Sequence, residues 1–274
     1  MDCAWEIAGV LALMGLGAAA GSGCGRLGRF WWVLGYVLPL VLVLLTTASL
    51  RFRELSFLVP FSWLTAGRNE FGVLAVAPVM VMAALAYRLK GTRIKVLVLI
   101  FAFIFSGYDG VYPIVEPLVT RAELERIQTK LDSRGVCIQS TDYTCGPAAA
   151  VTALHVLGIR GDEGKIALAA YTGFDSGTAP DSLCLALNQL HGQQGRRWEY
   201  RLFRSFDELK SRCPAIVVIE YSLFLDHYVT VLDVRGDQVV VGDPLAGKVA
   251  VPATEFVKKW RYCGIVPVRV SHSK

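Results

Sequence analysis

The sequence predicts a chain in two parts: an all-α transmembrane region of about four helices, then a globular domain that mixes helix with short β-rich segments. Two observations carry this reading. Of 274 residues, 54% are hydrophobic and only 19% charged, too apolar a balance for one soluble globule. The excess is also uneven. Long uncharged runs fill residues 1–118, whereas residues 121–274 mix charge, Gly and β-rich stretches.

Four runs are long enough for a hydrocarbon core that needs about 20 apolar residues. They are Trp5–Gly23, Phe30–Leu50, Phe71–Tyr87 and Val96–Val119, the third being the shortest. The apolar stretch Ser56–Leu64 is too short to cross and is placed at the interface or as a re-entrant segment. The first run lacks the basic amino-terminal flank of an export signal, and Gly21-Ser22-Gly23-Cys24 lacks the aliphatic residue that a lipidation site carries three positions before its cysteine. Its glycines suit close packing against a neighbouring helix. Glu6 and Glu116 are read as solvated helix ends, and no intramembrane Asp, Glu, Lys or His is read as a transport path. The expected layout is a transmembrane region over 1–119, a linker over 120–131 and a globular domain over 132–270.

The net charge of +5 is placed at the membrane, because Arg26, Arg29, Arg51, Arg53, Arg88, Lys90, Arg93 and Lys95 sit between the apolar runs. There is no aromatic-interleaved basic stripe, so nucleic acid is not an expected partner. Loops after the first and third helices carry two and four basic residues. The second loop has Arg51, Arg53 and Arg68, offset by Glu54 and Glu70. The positive-inside tendency then puts both termini and the globular domain outside the cytoplasm of a bacterial cell.

The seven cysteines, Cys3, Cys24, Cys137, Cys145, Cys184, Cys213 and Cys263, show no CxxC spacing. No structural zinc, other metal or organic cofactor is expected. A disulfide, such as one involving Cys184, Cys213 or Cys263, is left open, since connectivity is not deducible from the sequence, and with an odd count at least one thiol remains over.

The informative segment is Gln139-Ser-Thr-Asp-Tyr-Thr-Cys145-Gly-Pro-Ala-Ala-Ala-Val. Pro147 suits a first helical turn, and Ala148–Leu157 is a strong helix former that ends at Gly158. Cys145 is thereby expected at a helix amino terminus, where free N–H groups and the macrodipole favour the thiolate, the nucleophilic form. Gln139, six residues earlier, supplies an amide that can share an oxyanion hole with the cysteine's own N–H. Such a thiolate needs an imidazole. His155 lies within the same helix, His191 in a polar loop and His272 in the tail. His227 instead opens the run His227-Tyr-Val-Thr-Val, which turns at Gly236-Asp237 and returns through Val239-Val-Val-Gly-Asp243-Pro. In an antiparallel hairpin His227 and Asp243 fall near one another, so that the carboxylate can fix the imidazole tautomer.

Together, Gln139…Tyr143-Thr-Cys145-Gly-Pro, His227-Tyr-Val-Thr-Val, Asp243-Pro and the downstream Glu255-Phe256…Trp260 closely resemble the bacteriocin-processing cysteine peptidases, papain-like domains that cut leader peptides after a double-glycine-type motif. The resemblance covers about residues 132–268. It implies an α+β fold, with a helix bearing the cysteine packed on an antiparallel sheet bearing His and Asp. It also implies Cys145 as nucleophile, His227 as general base, Asp243 as orienter and Gln139 as oxyanion donor. The expected partners are a peptide or protein substrate, the lipid bilayer and a separate exporter or membrane partner. Well-known relatives place this domain before transporter helices and a nucleotide-binding domain; here it follows the helices. Gly242-Asp-Pro-Leu-Ala-Gly247-Lys248-Val249 approaches a phosphate loop but lacks the final Ser/Thr and leads into β-formers, so nucleotide is not expected. A peptide-binding module without catalysis, and an amidase or transpeptidase on the same scaffold, are the rival readings. Reactivity of the thiol separates the first, and product analysis the second.

Overall fold

The computed structural model describes residues 3–52, 54–59, 61–64, 69–192, 196–222 and 225–269. Arg53, Arg68 and His272, and the side chains of Cys3 and Glu70, lie outside the described residues. The chain divides into two compact units, Met1–Glu116 and Pro117–Lys274.

The first unit is helical. Helices α1 (Cys3–Arg26), α2 (Leu34–Arg51), α4 (Asn69–Arg88) and α5 (Thr92–Leu124) fall on the four apolar runs, and each is long and apolar enough to cross a membrane. Helix α3 (Phe61–Leu64) is a single short turn within the stretch too short to cross. Close approach of α1 and α4 rests on glycines spaced every four residues. A Cβ on Gly21 would stand 2.1 Å from the Met80 carbonyl oxygen, and one on Gly25 would stand 2.8 Å from Tyr87 Cβ. Small residues at this spacing let helix backbones touch where lipid supplies no hydrophobic drive. Because the obstacle at Gly21 is backbone, Gly21→Val should destabilise the bundle by at least about 2 kcal/mol. Thermal unfolding of the detergent-solubilised chain reads this as a lowered midpoint, and an unchanged midpoint would remove Gly21 from the packing.

Two polar residues depart from expectation. Glu116 is 1% exposed, so it is not a solvated helix end. The apolar run breaks near Val119, but the helix continues to Leu124, through residues read as linker. Asp109, which the sequence reading passed over, lies on α5 within the fourth apolar run and is exposed.

The second unit is α+β. A two-stranded ribbon, β1 (Lys130–Leu131) and β2 (Cys137–Ile138), leads into α6 (Cys145–Val156), α7 (Glu163–Ala169) and α8 (Pro180–His191). Then come β3 (Arg196–Leu202), α9 (Phe206–Lys210), β4 (Ala215–Ser222), β5 (Leu225–Arg235), β6 (Gln238–Asp243), β7 (Gly247–Pro252), α10 (Ala253–Lys259) and β8 (Trp260–Arg269). The six long strands form one antiparallel sheet in the order β3-β8-β4-β5-β6-β7. Its apolar core gathers Val217, Val229, Val231, Val239, Val241, Phe256 and Trp260. That places the Phe256…Trp260 signature in the core as packing groups.

Helix α6 lies against β5 because its early turns carry only small side chains. Ala148, Ala149 and Ala150 are fully buried, and Thr230 Oγ1 donates to the Ala149 carbonyl at 2.7 Å. Where α6 passes β6, a Cβ on Gly242 would come within 2.9 Å of Thr152 Cγ2, so glycine is needed for that approach. The helix ends at Val156 with Leu157 as its C-cap, and Gly158 follows at φ +74°, the stop that the sequence predicts. The near-match to a phosphate loop is the β6–β7 hairpin, in which Asp243 pairs with Gly247 and Gly247-Lys248 opens strand β7 rather than a helix.

Candidate active site

Three elements bring the site residues together. Cys145 is the first residue of α6, and Thr144 is its N-cap without a side-chain cap bond. The first backbone N–H groups of a helix have no intrahelical acceptor, and among the described residues the Cys145 N–H has no backbone acceptor, so it is available to a ligand. His227 and Asp243 come from the β5–β6 hairpin, closed by Arg235 opposite Gln238 with Gly236 at φ +60°. Thr230 pairs with Gly242, which makes Asp243 a diagonal neighbour of His227 across the ladder. An irregularity between Val231 and Asp233 sets this register; simple counting from the turn does not give it.

His227 is 5% exposed, and its Nε2 lies 2.8 Å from Asp243 Oδ1. The Cys145 side chain also interacts with the imidazole, and it raises the His227 pKa. With Nε2 committed to the carboxylate, Nδ1 is the nitrogen left for sulfur. Burial pushes the imidazole down, but its interactions with Asp243 and Cys145, and their charges, outweigh this and hold His227 up at about 9. Burial pushes Asp243 up, yet the bond to His227 and the N–H groups of Leu245 and Ala246 leave it below the ordinary carboxylate value. The Leu245 N–H donates to the same Oδ1 at 2.8 Å. Tyr221, on β4, sets its ring 5.8 Å from the imidazole.

Gln139 sits at the other end of the loop that ends at Cys145. Its backbone N–H donates to the Pro244 carbonyl at 3.0 Å, tying it to the turn after Asp243. Its Nε2 donates to the Thr141 carbonyl at 2.8 Å, and its buried Oε1 has no hydrogen-bond partner among the described residues. An amide nitrogen carries two N–H groups, so one is used within the loop and one is available to a ligand.

The other described histidines stand apart from this cluster. His155 is exposed on α6, and His191 closes α8 rather than lying in a loop. The six described cysteines are free thiols. Burial pushes Cys137 up to about 12, with the Glu163 charge adding to it, and pushes Cys184 and Cys213 up to about 11. Those three are protonated thiols at neutral pH. Among the described residues no group of three or more His, Cys, Asp or Glu is placed to hold a metal ion.

The peptidase C39 family model matches residues 133–269, half of the chain. The chain belongs to the peptidase C39 family. This is the family of the bacteriocin-processing peptidases whose motifs the sequence resembles. An uncharacterized protein of Methanothermobacter thermautotrophicus is 30% identical over 130 residues, covering 47% of this chain and 85% of that protein. Among solved structures, the peptidase domain of Streptococcus ComA, a bi-functional ABC transporter of a quorum-sensing pathway, matches with a TM-score of 0.43 and 20% identity, over 48% of this chain and 96% of that one. A double glycine motif protease from an AMS/PCAT transporter, solved with its leader peptide, matches with a TM-score of 0.43 and 17% identity, over 53% of this chain and 96% of that one.

The C39 domain of this chain carries contacts that sequence reasoning missed. Tyr143, in the loop before the cysteine, donates to Glu123 at 2.7 Å and meets the Phe174 ring at 5.6 Å. Leu124, the last residue of α5, is buried with Tyr143 and Ala167. Glu163, on α7, is 0% exposed and accepts bonds from both ends of the same loop. Its sequence context, Gly161-Asp-Glu-Gly-Lys, reads as a polar turn, and no local signal marks the glutamate as buried.

Proposed function

We propose that the chain is a membrane-anchored cysteine peptidase that hydrolyses a peptide bond in a peptide or protein substrate, such as a leader or propeptide. The observation that carries this reading is His227 bridging Cys145 and Asp243 at the amino terminus of α6. The Cys145 thiolate attacks the scissile carbonyl carbon. The resulting oxyanion takes hydrogen bonds from the Gln139 amide and the Cys145 N–H. The His227 imidazolium gives its proton to the leaving amine as the C–N bond breaks, which leaves a thioester. His227, now neutral, takes a proton from water, and hydroxide attack on the thioester releases the carboxylic acid product and restores the Cys145 thiolate beside the His227 imidazolium.

The four apolar helices support an anchor in a cell membrane, and the distribution of basic loops supports an extracytoplasmic peptidase domain. Membrane-impermeant maleimide should then label Cys145 in intact cells; protection until lysis would reverse the orientation. The relatives' transporter context supports a separate exporter as partner. Incubating the solubilised full chain with a peptide library should give thiol-dependent cleavage. Products identical with and without Cys145 would refute the peptidase reading, and ammonia released from a side-chain or terminal amide, or transpeptidation products, would reassign the chemistry to an amidase or transpeptidase.

Asp243 gives a sharper prediction. One oxygen, Oδ1, takes both the His227 and the Leu245 bonds. An asparagine can keep both with its own Oδ1, as in the Cys-His-Asn arrangement of papain-like proteases. Asp243→Asn should therefore retain cleavage within about tenfold, whereas Asp243→Ala should lose about 100-fold. Removing the anion also lowers His227 from about 9, so the alkaline limb of the Asp243→Asn rate profile should move to lower pH. Equal losses in the two variants would show that Asp243 acts by charge rather than by orientation.

A further inference from the structure

The loop from Gln139 to Cys145 carries both the amide and the thiol of the proposed site, and one buried side chain reaches both of its ends. Glu163 Oε1 accepts the Ser140 N–H at 2.8 Å and the Thr144 hydroxyl at 2.7 Å, while Oε2 accepts the Ser140 hydroxyl at 2.8 Å. Ser140 follows Gln139, and Thr144 precedes Cys145. The carboxylate is held in turn. Its own backbone N–H donates to Thr129 Oγ1 at 2.8 Å, and Asp162 caps α7 by accepting from the Lys165 N–H. Gly164 lets the segment lie against the end of α5, since a Cβ there would stand 2.5 Å from the Leu124 carbonyl oxygen.

A fully buried carboxylate bonded only by neutral groups among the described residues is a costly device for stability alone, because an apolar group of similar size would avoid the desolvation. What the carboxylate does that an apolar group cannot is fix a backbone N–H and two hydroxyls in one geometry. Thr144 adds a bond from the Thr141 N–H at 3.2 Å, so the turn is cross-tied from inside as well.

We propose that Glu163 is a positioning residue: its carboxylate sets the separation between the Gln139 amide and Cys145, and so shapes the oxyanion site. The catalytic part of this inference rests on the peptidase reading. Glu163 touches neither the thiol nor the imidazole in any bond described, so its loss should leave the Cys145–His227 pair in place while the oxyanion contact is lost.

The test uses the full solubilised chain as wild type, Glu163→Ala and Glu163→Gln. Hydrogen exchange is followed by mass spectrometry on peptides covering 138–144 and 227–235. Acylation of Cys145 is followed with p-nitrophenyl acetate in the same samples. Glu163→Ala should speed exchange of 138–144 about tenfold or more while leaving 227–235 unchanged, and should slow acylation about 100-fold, the effect of losing one oxyanion donor. Glu163→Gln should stay within about threefold of wild type in both readouts, because one amide oxygen can keep both Oε1 bonds. Unchanged exchange of 138–144 in Glu163→Ala overturns the proposal. So does faster exchange of both peptides together, which marks a general loss of stability, or a loosened loop with undiminished acylation. Failure of the peptidase reading shows differently, as equal acylation of wild type and Cys145→Ala, and loop exchange then still decides whether Glu163 holds the loop.

Discussion

Cys145→Ser should lower the rate of peptide cleavage by roughly 10⁴-fold or more, with substrate affinity little changed. Serine keeps the position at the start of α6, the free N–H and the neighbours of the sulfur. It also keeps a hydrogen-bonding group toward His227. What it removes is the nucleophile suited to a paired imidazolium, since a hydroxyl ionises far less readily than a thiol. The binding surface is untouched, so the loss belongs in kcat rather than KM. Cys137, Cys184 and Cys213 cannot substitute, because burial holds them protonated, at about 12, 11 and 11. Steady-state kinetics on a cleaved peptide from the library test the point, and a Cys145→Ser chain cleaving within tenfold of wild type would end the thiol mechanism.

His227→Ala should cost cleavage a comparable factor, about 10⁴-fold, by a different route. In the proposed mechanism the imidazole is both the thiol's partner and the proton donor to the leaving amine, and among the described residues its carboxylate partner is Asp243. Removing the ring leaves Asp243 without its partner and Cys145 without a base. Because the residues act as a unit, the double variant His227→Ala/Cys145→Ser should be scarcely slower than either single one. Additive losses would show that the two side chains contribute independently, which the arrangement does not allow.

The legible parts of this site are those encoded by short-range chemistry. Pro147 and the alanines after it announce a helix start, which places Cys145. Gly236-Asp237 announces a hairpin, which brings His227 to Asp243 within a few positions. The irregularity between Val231 and Asp233 then decides the final diagonal, and such a bulge has no clear trace in a row of valines. Glu163 was invisible for a different reason. It is buried by elements distant in sequence, the end of α5 and the loop before α6, while its own neighbours are Asp, Gly and Lys. Glu116 misled in the same way. The apolar run breaks near it, but the helix does not, so a residue expected in water lies inside. Asp109 shows the converse fault, a charged residue overlooked because the run around it is so apolar.

The site claim depends on Cys145 and His227 being an activated pair, and iodoacetamide labelling across pH tests it most directly. Wild-type and His227→Ala chains are labelled in parallel, and each modified cysteine is identified by peptide mass spectrometry. The arrangement predicts rapid labelling of Cys145 below about pH 7, far ahead of Cys137, Cys184 and Cys213, and slowed in the variant. Labelling of Cys145 at the pace of those buried thiols, and unchanged in His227→Ala, would contradict it and leave a domain that binds peptide without cutting it.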